Sequence, residues 1–178
     1  TMLRNVHREA SATAKRLLRA RESDAGTETL PAPPPGAVLL LATASGFLVQ
    51  IDERTLLTAA VDADAIVLVD CWPGRSVISG TPIGAAWPRV EPGDPEAMTR
   101  LAQRASGSLT TGFERTTVQD VGYGLRQLAD VTNKALSPGI NDPTTAVHAL
   151  GHCSALLCEL AGKDLGPRLL CDDHAQLR

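Results

Sequence analysis

His148 and His152 stand four residues apart in a run of helical spacing. That interval sets two imidazoles on one helix face, as zinc sites often require. The run H-A-L-G-H lacks the glutamate of the metalloprotease motif. A third ligand would have to come from elsewhere, Asp120 or Asp130. The plainer reading is one exposed and one half-buried histidine. A second group is polar. Arg115, Asp120 and Arg126 lie upstream of a dense turn, and Ser137, Asn141, Asp142, Thr144 and Thr145 lie in it or just after it. If the flanking helices pack antiparallel, these residues converge and Arg126 comes within reach of Asp120 or Asp142. Such a cluster could hold a small anion or metabolite. It could equally be an ion-pair network fixing a corner, although a buried pair is costly to desolvate.

Other chemistries find little support. No G-x-S-x-G elbow frames a serine nucleophile, and no G-x-x-x-x-G-K-[ST] loop is present for phosphates. No motif calls for a cofactor. Cys71, Cys153, Cys158 and Cys171 form no C-x-x-C pair, so buried free thiols in a reducing compartment are expected. Two Phe, two Trp and one Tyr are too few to build a stacking platform, which argues against nucleic acid as a partner.

The turn that would position the polar group is Ser137-Pro138-Gly139-Ile140-Asn141-Asp142-Pro143. Pro138 pushes Ser137 out of helical angles, and Gly139 is free to take positive φ. Asp142 is a good N-cap, and Pro143 suits the first helical position. A helix N-terminus with two hydroxyls can hold an anion, but the charge of Asp142 already occupies the positive end of the dipole.

The remaining elements follow in order. Residues 2–22 read as a helix with Val6, Ala10, Ala14, Leu17 and Leu18 on one stripe. The arm 1–21 holds six basic residues (Arg4, Arg8, Lys15, Arg16, Arg19, Arg21) against Glu9. It stands at +5, so with a total of −3 the remainder carries −8. Such asymmetry suits a membrane-proximal segment, or a solvated helix face. Residues 23–36 and 91–95 read as Pro-rich linkers. Strands are expected at 37–43, 47–52, 65–71, 76–78 and 82–87, with a helix at 53–61. The pattern PGRSVISGTPIGAAW resembles the hairpin of barrel-sandwich carrier domains. No lysine lies between residues 16 and 133, which excludes a carrier lysine. Helices follow at 95–106, from Thr117 or Gln119 to Leu136, and at 143–161, with a short strand at 165–172. On the last helix the expected buried stripe is Val147, Leu150, Cys153, Leu157 and Leu160. The costs of Gly122 and Gly124 inside the preceding helix suggest close packing against another backbone.

The fold class expected is α+β: an N-terminal helix with linker (1–35), a small β-barrel-like module (36–92), and a layer of antiparallel helices (93–178). No apolar run approaches the length of a membrane span. Thr1 precedes Met2, an order expected of a fragment of a longer protein.

The run ALSPGINDPTTAVHAL, preceded by Arg115-Thr116, Gln119-Asp120 and Tyr123-Gly124-Leu125-Arg126-Gln127-Leu128, resembles a bacterial family of membrane proteins catalogued as domain of unknown function 2254. The resemblance is strong over 113–150 and looser over 36–90. It implies N-terminal transmembrane helices outside this chain, followed by a soluble region at the bacterial cell membrane, and the basic arm 1–21 puts that region on the cytoplasmic side. The partner the resemblance implies is the lipid bilayer, through that absent region; a second copy of the chain is a further candidate partner. The resemblance implies no activity. Ligand sensing, regulation or assembly, an enzyme acting on a small anionic metabolite, and a purely structural oligomerisation domain all stay open.

Overall fold

Every helix from the second onward begins at an aspartate. Asp52 accepts from the Thr55 N–H at 3.1 Å, Asp94 from Glu96 at 2.9 Å, Asp120 from Tyr123 at 2.9 Å and Asp142 from Thr145 at 3.0 Å. Each carboxylate satisfies a donor that has no partner inside its own helix. These caps fix α2 (Glu53–Asp62), α3 (Pro95–Gly107), α4 (Val121–Ala135) and α5 (Pro143–Ala161). They are preceded by α1 (Met2–Glu22). The computed structural model describes residues 2–22, 30–90, 93–163 and 165–178. Linker positions 23–29 and 91–92 lie outside the described residues.

The class is α+β, with five helices and two small antiparallel sheets. One sheet has the order β1-β5-β3, from Val38–Leu41, Pro82–Pro88 and Ala65–Val69. The other has the order β4-β2-β6, from Ser76–Val77, Gly46–Ile51 and Leu109–Gly112. The expected barrel is therefore corrected: no closed barrel forms among the described residues. The supposed hairpin of Ser76–Trp87 is split, because β4 and β5 belong to different sheets. The apolar surface that closure would have buried is covered by helices instead. α3 packs on β1 and β5, and α2 packs on β3. The core holds Leu40, Leu48, Leu56, Ile83, Met98, Leu101 and Leu109. The strand expected at 165–172 is replaced by a single bridge between Cys171 and Leu177.

Contacts divide the chain into two units that differ from the three sequence-based segments. A sheet unit comprises Thr27–Arg115 and Pro167–Arg178. A helical unit comprises Thr1–Gly26 and Thr116–Gly166. The first helix thus belongs with the hinge helices rather than with a linker. α3 belongs with the strands, because its Met98, Leu101 and Ala105 complete their core.

Within the helical unit, α1, α4 and α5 pack against one another in all three pairings. Ala10, Ala14, Leu156 and Leu160 form the buried centre, with Val121 and Leu125 against it. Gly124 is buried at the α1–α4 crossing, where an added Cβ would overlap the Ala10 side chain. That close approach accounts for a glycine inside a helix it would otherwise weaken. Polar bonds run along the seam. Ser11 donates to Glu159 at 2.7 Å, Thr13 to the Thr117 carbonyl at 2.7 Å, and Arg16 to the Val118 carbonyl.

Candidate functional site

The turn between α4 and α5 is closed by its own bonds. The Ser137 hydroxyl donates to the Lys134 carbonyl at 2.7 Å. Ile140 and Asn141 N–H groups both donate to the Ser137 carbonyl, at 3.0 and 2.9 Å. The Asp142 N–H reaches back to the Ala135 carbonyl at 2.7 Å, taking up an acceptor that the end of α4 leaves unpaired. The left-handed residue is Asn141, with φ +45, and not Gly139 as expected. Asparagine tolerates this region because its short polar side chain can bond locally.

Asp142 is then fully engaged. One oxygen accepts from the Thr145 N–H at 3.0 Å and the other from the Thr145 hydroxyl at 2.6 Å. Those bonds, led by the hydroxyl, hold its carboxyl below the usual carboxylate range. The stability they supply is present above the unfolded-state value and is lost as pH falls through the folded-state one. Thr144 is exposed beside it.

The other residues named from sequence lie elsewhere. Asp120 is 6% exposed and caps the opposite end of α4. α4 has 15 residues. At a rise of about 1.5 Å each, that helix separates Asp120 from the Asp142 turn by roughly 20 Å. Arg126 forms its ion pair with Asp130, one turn along the same helix, at 3.1 Å on the surface. Arg115 falls in the sheet unit. Two groups thus replace the expected single cluster: Asp120 at one end of α4, and Ser137, Asn141, Asp142, Thr144 and Thr145 at the other.

His148 is exposed and His152 half-buried. His152 meets His7 across the α1–α5 seam, with ring centroids 5.0 Å apart, and its carbonyl lies 3.3 Å from His7 Nδ1. Among the described residues, no three of His, Cys, Asp and Glu gather in a metal-binding group. Burial pushes the Cys71 and Cys153 thiols up, which disfavours the reactive thiolate. A concavity of about 430 Å³ lies on α3 against Pro95, Glu96, Thr99, Arg100 and Gln103, none of them a residue of the turn. Arg100 there is held by Asp94 and Glu96.

The feature missed from sequence is the outer face of α5. The expected stripe is only partly inside: Leu160 is buried and Cys153 half-buried, but its other three members face outward. Ala146, Ala149, Leu156 and Leu160 are buried, whereas Val147 is 65%, Leu150 51% and Leu157 53% exposed. Around those three, Gly151, Ser154, Ala155, Cys158 and Ala161 complete an exposed face without Asp, Glu, Lys or Arg. A helix apolar all round is expected to be covered on every side.

The family described as "Predicted membrane protein (DUF2254)" matches residues 1–178. The chain belongs to this family. Uncharacterized proteins of Mycobacterium tuberculosis and Mycobacterium bovis are members of its neighbourhood in sequence. Each is 38% identical over 144 residues, which is 80% of this chain and 27% of the relative. The chain thus spans about a quarter of the length of these relatives. No solved structure matches it. Among the described residues of this family member, no helix is long and apolar enough to cross a membrane.

Proposed function

We propose that this chain is an assembly module of a bacterial membrane protein, acting through the outward face of α5. The observation that carries this reading is the exposure of Val147, Leu150 and Leu157 on a helix face free of charged side chains. Contiguous exposed apolar surface of this kind marks an interaction site. The turn supports the same reading. Asp120 and Asp142 do what Asp52 and Asp94 do at α2 and α3, capping a helix, and in the turn Thr145 bonds to Asp142 while Ser137 bonds to the end of α4. That favours a structural corner over a site for a small anion or for catalysis. The basic side chains of α1, Arg4, Arg8, Lys15 and Arg16, favour the cytoplasmic side of the bilayer. A reporter fused after Arg178 that worked only outside the cell would overturn that placement.

The test uses the full-length protein in membranes. Leu150→Lys with Leu157→Lys is expected to reduce the size of the extracted complex. Ser137→Ala with Thr144→Val is expected to leave it intact. The reverse pattern would favour ligand sensing at the turn and contradict assembly.

A further inference from the structure

We infer that the partner of α5 is a second copy of this chain, paired antiparallel about a two-fold axis passing at Ser154. This rests on the assembly reading above and names the partner. The exposed residues Val147, Leu150, Ser154, Leu157 and Ala161 recur at alternating steps of three and four, the spacing of a helix–helix seam. A two-fold at Ser154 reverses those steps, so Leu150 faces Cys158 and Leu157 faces Gly151, each larger side chain opposite a smaller exposed one, an arrangement that closes on itself as a two-fold interface requires. Reflected through Ser154, Val147 meets Ala161 of the second copy, and Leu157 meets its Gly151.

Gly151 is the independent observation. It sits mid-helix, exposed, where glycine weakens the helix relative to alanine. Among the described residues nothing requires its small size, because an added Cβ would meet no atom of them within 4 Å. Gly124, by contrast, is explained by Ala10. An opposing Leu157 supplies the missing reason: glycine leaves the hole that the leucine enters.

Charge agrees with this orientation. The face itself carries no carboxylate, ammonium or guanidinium to desolvate. Asp142 lies at the N-terminal end of α5 and Lys163 just beyond its C-terminal end. Antiparallel pairing sets each acid within about one turn of the opposing lysine and opposes the two helix dipoles. A seam along 19 residues is about 28 Å long.

The experiment uses the 178-residue chain with Cys158 and Cys171 replaced by serine. Under mild oxidation, Ser154→Cys is expected to link two copies covalently. Val147→Cys alone is not, because its own copy lies about 21 Å away along the axis. Mixed Val147→Cys and Ala161→Cys chains are expected to link to each other. In sedimentation of the otherwise unaltered chain, Leu157→Lys and Gly151→Leu should each weaken association at least about tenfold. Their unfolding temperatures at monomeric dilution should stay near that of the parent. Linkage through Val147→Cys alone would indicate parallel pairing and overturn the inference. So would a parent chain that stays monomeric, including one that instead binds anionic phospholipid vesicles. If the chain is monomeric yet Leu157→Lys still breaks up the full-length complex, the second copy is refuted and assembly stands. If neither responds, both are refuted.

Discussion

Asn141 carries the backbone geometry of the turn. Its φ of +45 lets the next N–H swing back to the Ala135 carbonyl while Asp142 caps the following helix. A β-branched residue meets its own carbonyl in that region, at roughly 1–2 kcal/mol. Asn141→Val is therefore expected to lower stability by about that much, and Asn141→Gly to leave it nearly unchanged, in denaturant unfolding. Equal losses from both would mean that the asparagine side chain, not the backbone, holds the corner. The cap at Asp142 was legible in the sequence, because aspartate followed by proline has a local cause, whereas the cap at Asp120, followed by valine, was not. Nor was the left-handed position. Gly139 is the more permissive residue, but the return bond to Ala135 fixes where the chain must reverse.

At the scale of elements, boundaries were easier to read than faces. α2, α3 and α5 begin where the acid-led starts put them, and of the stripe that spacing implies for α4 (Val121, Leu125, Leu128, Thr132, Ala135) the last three are buried and the first two half-buried. α5 fails for a physical reason. It is apolar nearly all round, so a 3.6-residue period fits two adjacent phases. The α5 residues packed on Ala10 and Ala14 are Leu160 and Leu156, the latter one position off Leu157. The consequence is a pair of adjacent leucines with opposite roles. Leu156 is fully buried and Leu157 is 53% exposed. Leu156→Ala should cost about 2–5 kcal/mol and Leu157→Ala less than about 1 kcal/mol, in chemical unfolding of the chain at monomeric dilution. Comparable costs would place the sequence-derived stripe inside after all. The split of β4 from β5 was equally hidden, since strand runs carry no signal for which sheet they join.

For the whole molecule, the grouping of α1 with α4 and α5 had no local signal. Its contacts join residues more than 100 positions apart, as in Ser11 with Glu159. The C-terminal residues of the sheet unit behave likewise. Arg178 is nearly buried and pairs with Asp172 at 2.6 Å and with Asp64. Asp172 accepts from the Gln176 and His174 N–H groups as well. Those bonds, the Gln176 one foremost, lower its carboxyl to about 2. A depressed acid stabilises the fold above its unfolded value of about 3.9. That contribution fades as pH falls through the folded one. Asp172→Asn is thus expected to destabilise the chain at pH 7, with the difference shrinking between about pH 4 and pH 2. A gap independent of pH over that window would assign the loss to packing instead.

The outward face of α5 is the point on which the functional account stands, and Cys158 lies on it, exposed in the single chain. The direct measurement is thiol labelling of Cys158 in the membrane-embedded full-length protein, with exposed Cys171 as the internal reference. The account predicts that Cys158 is protected relative to Cys171, and that Leu157→Lys releases it. Labelling of Cys158 as fast as Cys171 in the unaltered protein would contradict it.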